Sequence, residues 1–250
     1  MSDVKLVVQA DDFGMCHAVN QGIVTAFNEG IVTQATAMPP TPWFAEAAAL
    51  ASRHDIPCGV HLTLTCEWEN LRWGPLTPGA SLCGDDGTLR RTVADVMEHV
   101  DRDEAVIETT AQVERFRRSF GSPIHLDPHM GAVPRSVVER TCAATSTPFL
   151  YPIGSATHDF TSITFVSAEG GADKTAWLVA QIEQLAPGIH LFCTHPALPT
   201  EELAAITSPD ADDASWAVPY RASDLDALCS TEVRRAVEAR GVELVAVPVP

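Results

Sequence analysis

Short apolar runs alternate along this chain with longer helix-compatible segments, and that alternation limits the fold more than any other feature. The strand-like runs fall at residues 5–10, 31–38, 58–64, 124–127, 147–151, 163–166, 189–194 and 242–249. Helix-compatible segments occupy 17–28, 42–53, 93–120, 134–145, 174–185 and 223–240. Strands separated by helices pair in parallel. Seven or eight such units in 250 residues predict an α/β fold and favour a TIM-like (β/α) barrel with seven or eight mostly parallel strands over an open sheet, which the alternation also allows. No repeat, low-complexity tract or linker divides the chain, so one domain over residues 1–250 is expected. Gly30 and Gly241 are placed to cap the C-termini of their helices, and Pro134 suits the first turn of the helix it opens.

Four polar clusters end four of the runs: Asp11-Asp12-Phe13-Gly14, His61 within Gly59-Val60-His61-Leu62, His125-Leu126-Asp127-Pro128-His129, and Thr194-His195-Pro196. In α/β folds the strands deliver their C-terminal ends to one rim, where active sites are built. Two carboxylates and several imidazoles gathered there are the ligand set of a divalent metal with a base and an acid beside it.

Each cluster also has a plainer reading. One aspartate of the pair could cap the helix near His17 while the other is solvated, and His61 alone would more often be a hydrogen-bonded core residue. Residues 125, 127 and 129 share one face of an extended strand, and three polar groups beside Ile124 and Leu126 are hard to explain by packing. Asp127 is a candidate to orient a ligand imidazole. His195, biased to extended backbone by Pro196, suits a general acid, a fourth ligand or a structural histidine.

Composition excludes several classes. The net charge of −17 repels phosphate backbones and anionic bilayers, so neither nucleic acid nor a membrane is an expected partner. No apolar run approaches the ~20 residues that span a bilayer. The N-terminus lacks a secretory pattern, and seven cysteines show no Cys-x-x-Cys pair. A reducing cytoplasm is therefore expected. Two long connections, 65–91 and 197–221, carry Trp68, Trp73 and Trp216. Tryptophans there either stack on sugar faces or pin the loop, and Trp73 is taken as a candidate substrate contact.

Taken in order, Ala-Asp-Asp-Phe-Gly, Gly-x-His-Leu-x-Leu, His-x-Asp-x-His and His-Pro-Ala resemble the YdjC-like carbohydrate deacetylases, which include the chitooligosaccharide deacetylases. The resemblance runs from residue 10 to 197, with 216–224 also similar. It implies a distorted barrel that removes N-acetyl groups from an amino sugar or short oligosaccharide using one divalent metal ion, Zn²⁺ or Mg²⁺ by donor type. By position it implies Asp12, His61 and His129 as metal ligands, Asp11 as general base and His195 as general acid, with His125 and Asp127 in support. A small N-acetylated sugar is the implied partner, and a homodimer is permitted without being required. Rival readings are a hydrolase of another amide or ester at the same site, or a glycan-binding barrel without catalysis. One departure stands out. The family commonly continues Asp-Ser-His-x-His, whereas this chain reads Asp127-Pro128-His129-Met130-Gly131, so a chitooligosaccharide substrate is not implied.

Overall fold

The computed structural model describes residues 3–151, 160–166, 173–208 and 217–248. Seven strands are seen among them: β1 (Val4–Phe13), β2 (Gln34–Ala37), β3 (Cys58–Leu62), β4 (Leu126–Pro128), β5 (Phe160–Phe165), β6 (Gly188–Thr194) and β7 (Glu243–Leu244). All their pairings are parallel, in the order β4-β3-β2-β1-β6-β5. β7 pairs with residues 5–6 of β1 and β2 with residues 9–13. The sheet curls into a half-barrel with helices packed around it, as the alternation predicts.

Nine helices are described: α1 (His17–Glu29), α2 (Phe44–His54), α3 (Val93–His99), α4 (Arg102–Phe120), α5 (Arg135–Thr145), α6 (Lys174–Glu183), α7 (Glu201–Ala205), α8 (Pro219–Cys229) and α9 (Thr231–Arg240). Two expected helices are each broken in two, by a capping side chain. Asp101 accepts from the backbone N–H of Asp103 and Glu104, starting α4. Ser230 accepts from Val233 N–H, starting α9. Such caps satisfy backbone donors that a helix start leaves unpaired. Gly30 and Gly241 do sit at helix C-caps, Gly241 in the left-handed region, while Pro134 precedes α5 as its N-cap rather than lying in the first turn.

The expected strand at 147–151 reduces to one bridge between Phe149 and Leu126. The run at 242–249 keeps only β7 and extends past the described residues. Because successive strand residues face opposite sides, β1 sends Leu6, Val8 and Ala10 to the helix layer. Val7 instead joins Leu150, Leu191, Cys193, Val245 and Val247 in a second apolar cluster inside the curl. Among the described residues no helix is long and apolar enough to cross a membrane.

Candidate functional site

Strand register brings the polar residues to one level of the interior. Gln9 of β1 is paired with Gln34 and Cys193, Thr36 with Gly59, and His61 with Asp127. Side chains of these residues form a buried chain of hydrogen bonds. Val247 N–H donates to Gln34 Oε1 (2.9 Å), Gln34 Nε2 to Gln9 Oε1 (2.8 Å), and Gln9 Nε2 to both Asp11 Oδ1 (2.8 Å) and Asp127 Oδ2 (2.9 Å). Thr36 Oγ1 donates to Asp127 Oδ1 (2.6 Å). Gln9, Gln34 and Thr36 were not singled out from sequence. Their signal was the period of two that links Gln9 to Asp11 and Gln34 to Thr36.

Adjacent residues of a regular strand point to opposite faces, yet Asp11 and Asp12 both line the same cavity. Pairing of β1 with β2 shifts register between Ala10 and Phe13, and Asp12 takes a left-handed backbone (φ 69°). Such an irregularity re-aims a side chain. Asp residues tolerate that region better than most. Neither aspartate caps α1: its N-cap is Cys16, without a side-chain bond, and Glu202 of α7 accepts from the N–H groups of His17 and Ala18. Gly14 (φ 103°) has no room for a side chain, since a Cβ would lie 2.9 Å from Thr41 Oγ1.

Asp12 Oδ1 is buried and accepts no hydrogen bond. Facing it are His129 Nδ1 at 3.2 Å and His61 Nε2 at 3.5 Å. The other oxygen of Asp12 pairs with Arg221 of α8 at 2.7 Å. Each imidazole is held from its far nitrogen by a carboxylate: His61 Nδ1 by Asp127 Oδ2 (3.1 Å), His129 Nε2 by Glu67 (3.2 Å). A neutral imidazole that donates from one nitrogen offers its lone pair from the other, and here both lone pairs are then turned to Asp12 Oδ1. Ligand atoms of Asp12, His61 and His129 lie within 4.8 Å of one another. This donor set fits a divalent ion. A second grouping, Asp11, His61 and Asp127, meets the same spacing, but His61 Nδ1 is already bonded to Asp127, Gln9 and Thr36 bond both oxygens of Asp127, and Gln9 bonds one oxygen of Asp11.

Charge in the cluster follows from burial and pairing. Burial pushes the Asp11 carboxyl up to about 7, with His61 opposing and Asp127 and Asp12 adding to it. Burial also works against charge on Asp12, but Arg221 and His129 outweigh it and hold that carboxyl well below the usual range. Against the same burial, Asp127 holds His61 well above its ordinary value. Glu67 and Asp12 hold His129 up at about 9. Burial lowers His195 to about 4.

His195 lies beside the pair, with Nε2 3.8 Å from Asp11 Oδ2. Its backbone N–H donates to Asp224 Oδ2 at 2.8 Å, and the other oxygen of Asp224 is bonded by Lys174. Thus α8 fixes Asp12 through Arg221 and the His195 segment through Asp224, while α6 neutralises Asp224. Glu67, Lys174, Arg221 and Asp224 were not picked out as site residues from sequence: the resemblance at 216–224 spans Arg221 and Asp224, but nothing local in a loop or helix shows that it reaches a distant strand end. His125 is fully buried against Gly59, with Nε2 3.6 Å from Asp127 Oδ1.

Trp73 requires correction. It is buried, donates from Nε1 to Thr65 O (2.9 Å), and does not line the cavity. It pins its loop, as do Glu108 of α4, which accepts from Leu76 and Thr77 N–H, and Arg72, which bonds Cys66 O and Trp68 O. Trp68 is the tryptophan of that loop on the cavity wall. Trp216 and the run 210–213 lie outside the described residues.

Fold and site together define a class: an α/β half-barrel whose parallel strands end on a buried carboxylate–imidazole cluster. The family model for YdjC-like proteins matches residues 5–239, so the chain belongs to the YdjC-like family. It is 31% identical to a Thermus thermophilus carbohydrate deacetylase over 92% of this chain and 88% of that protein. It is 38% identical to one from Enterococcus faecalis, over 52% of this chain and 49% of that protein. A Yersinia enterocolitica chitooligosaccharide deacetylase is 38% identical over 50% and 48%. In these last two cases the match spans about half the length of the relative. A solved Enterococcus faecalis structure, described as a candidate cellobiose-phosphate cleavage protein, superimposes with a TM-score of 0.80 at 25% identity, covering 98% of this chain and 97% of the other. Bacillus subtilis peptidoglycan deacetylase PdaC shares the fold, with a TM-score of 0.53 at 12% identity, over 99% and 90%.

Proposed function

We propose that this protein is a metal-dependent hydrolase that removes N-acetyl groups from an amino sugar or short oligosaccharide. The observation that carries the reading is Asp12 Oδ1: a buried oxygen without a hydrogen bond, faced by two imidazole nitrogens, beside Asp11 and His195 in a cavity of about 470 Å³. Relatives named as carbohydrate and chitooligosaccharide deacetylases support the same chemistry. Asp12, His61 and His129 would hold the ion, and two imidazoles with one carboxylate suit Zn²⁺ or Mg²⁺. Such an ion supplies Lewis acidity, lowering the pKa of water and polarising an acetamide carbonyl.

The remaining steps belong to the protein's own groups. Asp11, raised by burial to about 7, is poised to accept the proton of the attacking water at neutral pH. His195 is neutral at rest, since burial lowers it to about 4. The proton it passes to the departing amine is therefore the one collected by Asp11, whose Oδ2 is 3.8 Å from His195 Nε2. Gln9 holds Asp11 in place, and Asp224 holds the backbone of His195.

The test is acetate release from N-acetylated mono- and oligosaccharides, before and after chelation and metal restoration. Metal-dependent acetate, abolished in Asp11→Asn and lowered in His195→Ala with metal still bound, is the expected result. No acetate from a protein that binds metal stoichiometrically would refute the substrate assignment and leave a hydrolase of another acyl group. Glycan binding without metal or turnover would refute catalysis.

A further inference from the structure

Asp11 and Asp127 stand at strands that are not neighbours, β1 and β4, and both are buried. Gln9 lies between them, with Nε2 donating to Asp11 Oδ1 at 2.8 Å and to Asp127 Oδ2 at 2.9 Å. An amide nitrogen carries two N–H donors, and here each serves one carboxylate. Asp127 Oδ2 also pairs with His61 Nδ1 at 3.1 Å, which leaves Nε2 of that ring towards Asp12. Asp11 keeps its other oxygen towards His195 Nε2, at 3.8 Å. A single amide therefore orients both the candidate base and the carboxylate behind a candidate metal ligand.

An amide side chain can sit either way round. Turned by half a revolution about its last bond, Gln9 would set Oε1 against two carboxylates and lose both bonds. Its far side is fixed by a second amide, since Gln9 Oε1 accepts from Gln34 Nε2 at 2.8 Å. Gln34 is fixed in turn, because its Oε1 accepts from the backbone N–H of Val247 at 2.9 Å, across 213 residues. A backbone N–H only donates and cannot reverse, so it dictates the direction of every bond in the series. Gln9 and Gln34 are fully buried, where an unpaired polar group is costly. Val247 is itself held among Val7, Leu150, Leu191, Cys193 and Val245, and Val245 N–H donates to Leu6 O.

We infer that Gln34 and Gln9 are positioning residues that carry the fixed polarity of the Val247 N–H to the site, holding Asp11 for proton transfer and, through Asp127, His61 for the ion. The role of Asp11 rests on the deacetylase reading; that of Asp127 needs the metal site alone.

Residues that act in series are not additive, and a double-mutant cycle exposes it. Gln9→Met removes both donors and should lower metal affinity, and kcat at saturating metal, each on the order of tenfold. Gln34→Met removes the bond that fixes Gln9 and should lower both by roughly threefold. With Gln9→Met already present no amide is left to fix, so adding Gln34→Met should change neither by more than about 1.5-fold. Competition with a chromophoric chelator reads affinity, acetate release reads kcat, and calorimetric Tm reads the fold. If Gln9→Met does not fold, Gln9→Asn, which withdraws the amide by one methylene and keeps a polar group, takes its place in the cycle. Equal losses from Gln34→Met in both backgrounds would overturn the inference. So would a lower Tm with metal affinity and kcat unchanged, the mark of a merely structural role. The expected cycle in metal affinity with no acetate from any of the proteins would sink the deacetylase reading and keep the arm through Asp127; acetate release with an additive cycle would sink the positioning role alone.

Discussion

Lowering the pH from 8 to 6 should weaken metal binding by at least about two decades, because the ion must displace the proton of His129. In the metal-free protein each candidate imidazole is bracketed by carboxylates: His129 between Asp12 and Glu67, His61 between Asp12 and Asp127. Both pKa values are raised, that of His129 to about 9, so His129 is protonated at neutral pH. Stripping His129 at pH 7 costs about 3 kcal/mol, at 1.36 kcal/mol per pKa unit. Every proton displaced makes affinity rise tenfold per pH unit, and protons held on His61 and Asp11, both raised in the metal-free protein, add to that of His129. Asp12 adds nothing to this slope, because Arg221 and His129 hold it ionised throughout. Competition with a chromophoric chelator at pH 6, 7 and 8 reads the slope. Calorimetry in buffers of different ionisation enthalpy counts the protons released. Glu67→Gln removes the largest support for the His129 charge and should lower the count. Release of fewer than one proton by the unaltered protein would show that the rings are already neutral, and the account of the cluster's charge would fail.

Three further outcomes follow from the same geometry. Lys174→Met leaves Asp224 charged and buried without its ion-pair partner, which should cost roughly 3–5 kcal/mol; calorimetry should show Tm lower by about 10 °C, and a fall under about 2 °C would mean the pair is hydrated. Gly59→Ala would place a Cβ 2.4 Å from His125 Nε2, destabilising the fold by about 1–3 kcal/mol and lowering kcat as His125 is driven towards Asp127; His125→Ala in the same protein should relieve the clash, and its failure to restore stability would refute a steric cause. In the pH profile of kcat/KM, activity should fall as pH drops through an ionisation at or below about 7, because Asp11 must be ionised to accept a proton and a bound cation shifts it downward from its metal-free position. His195, neutral above about 4, should add no limb near neutrality, and a flat profile from pH 4 to 7 would remove Asp11 as the base.

Much of this protein is written locally. Alternating apolar and helical segments specify parallel strands because each helix carries the chain back across the sheet, and polar clusters at strand ends mark the rim. Asp11, Asp12, His61, His129 and His195 could be named together because each closes or follows a strand of one sheet. Short-range signals also fail in identifiable places. Val93 to Phe120 reads as one helix until the Asp101 carboxylate is seen taking two backbone N–H groups. Trp73 reads equally as a sugar contact or a loop anchor until its indole is found bonded to Thr65. Only the tertiary structure decided which groups complete the cluster. Glu67 reaches His129 across 62 residues and Arg221 reaches Asp12 across 209; no periodicity encodes such pairs. The left-handed turn of Asp12, which brings two neighbouring carboxylates into one cavity, likewise depends on the register of β1 against β2. Sequence determines which side chains are available at the strand ends; packing of distant loops and helices determines their charge, their orientation and what they can hold.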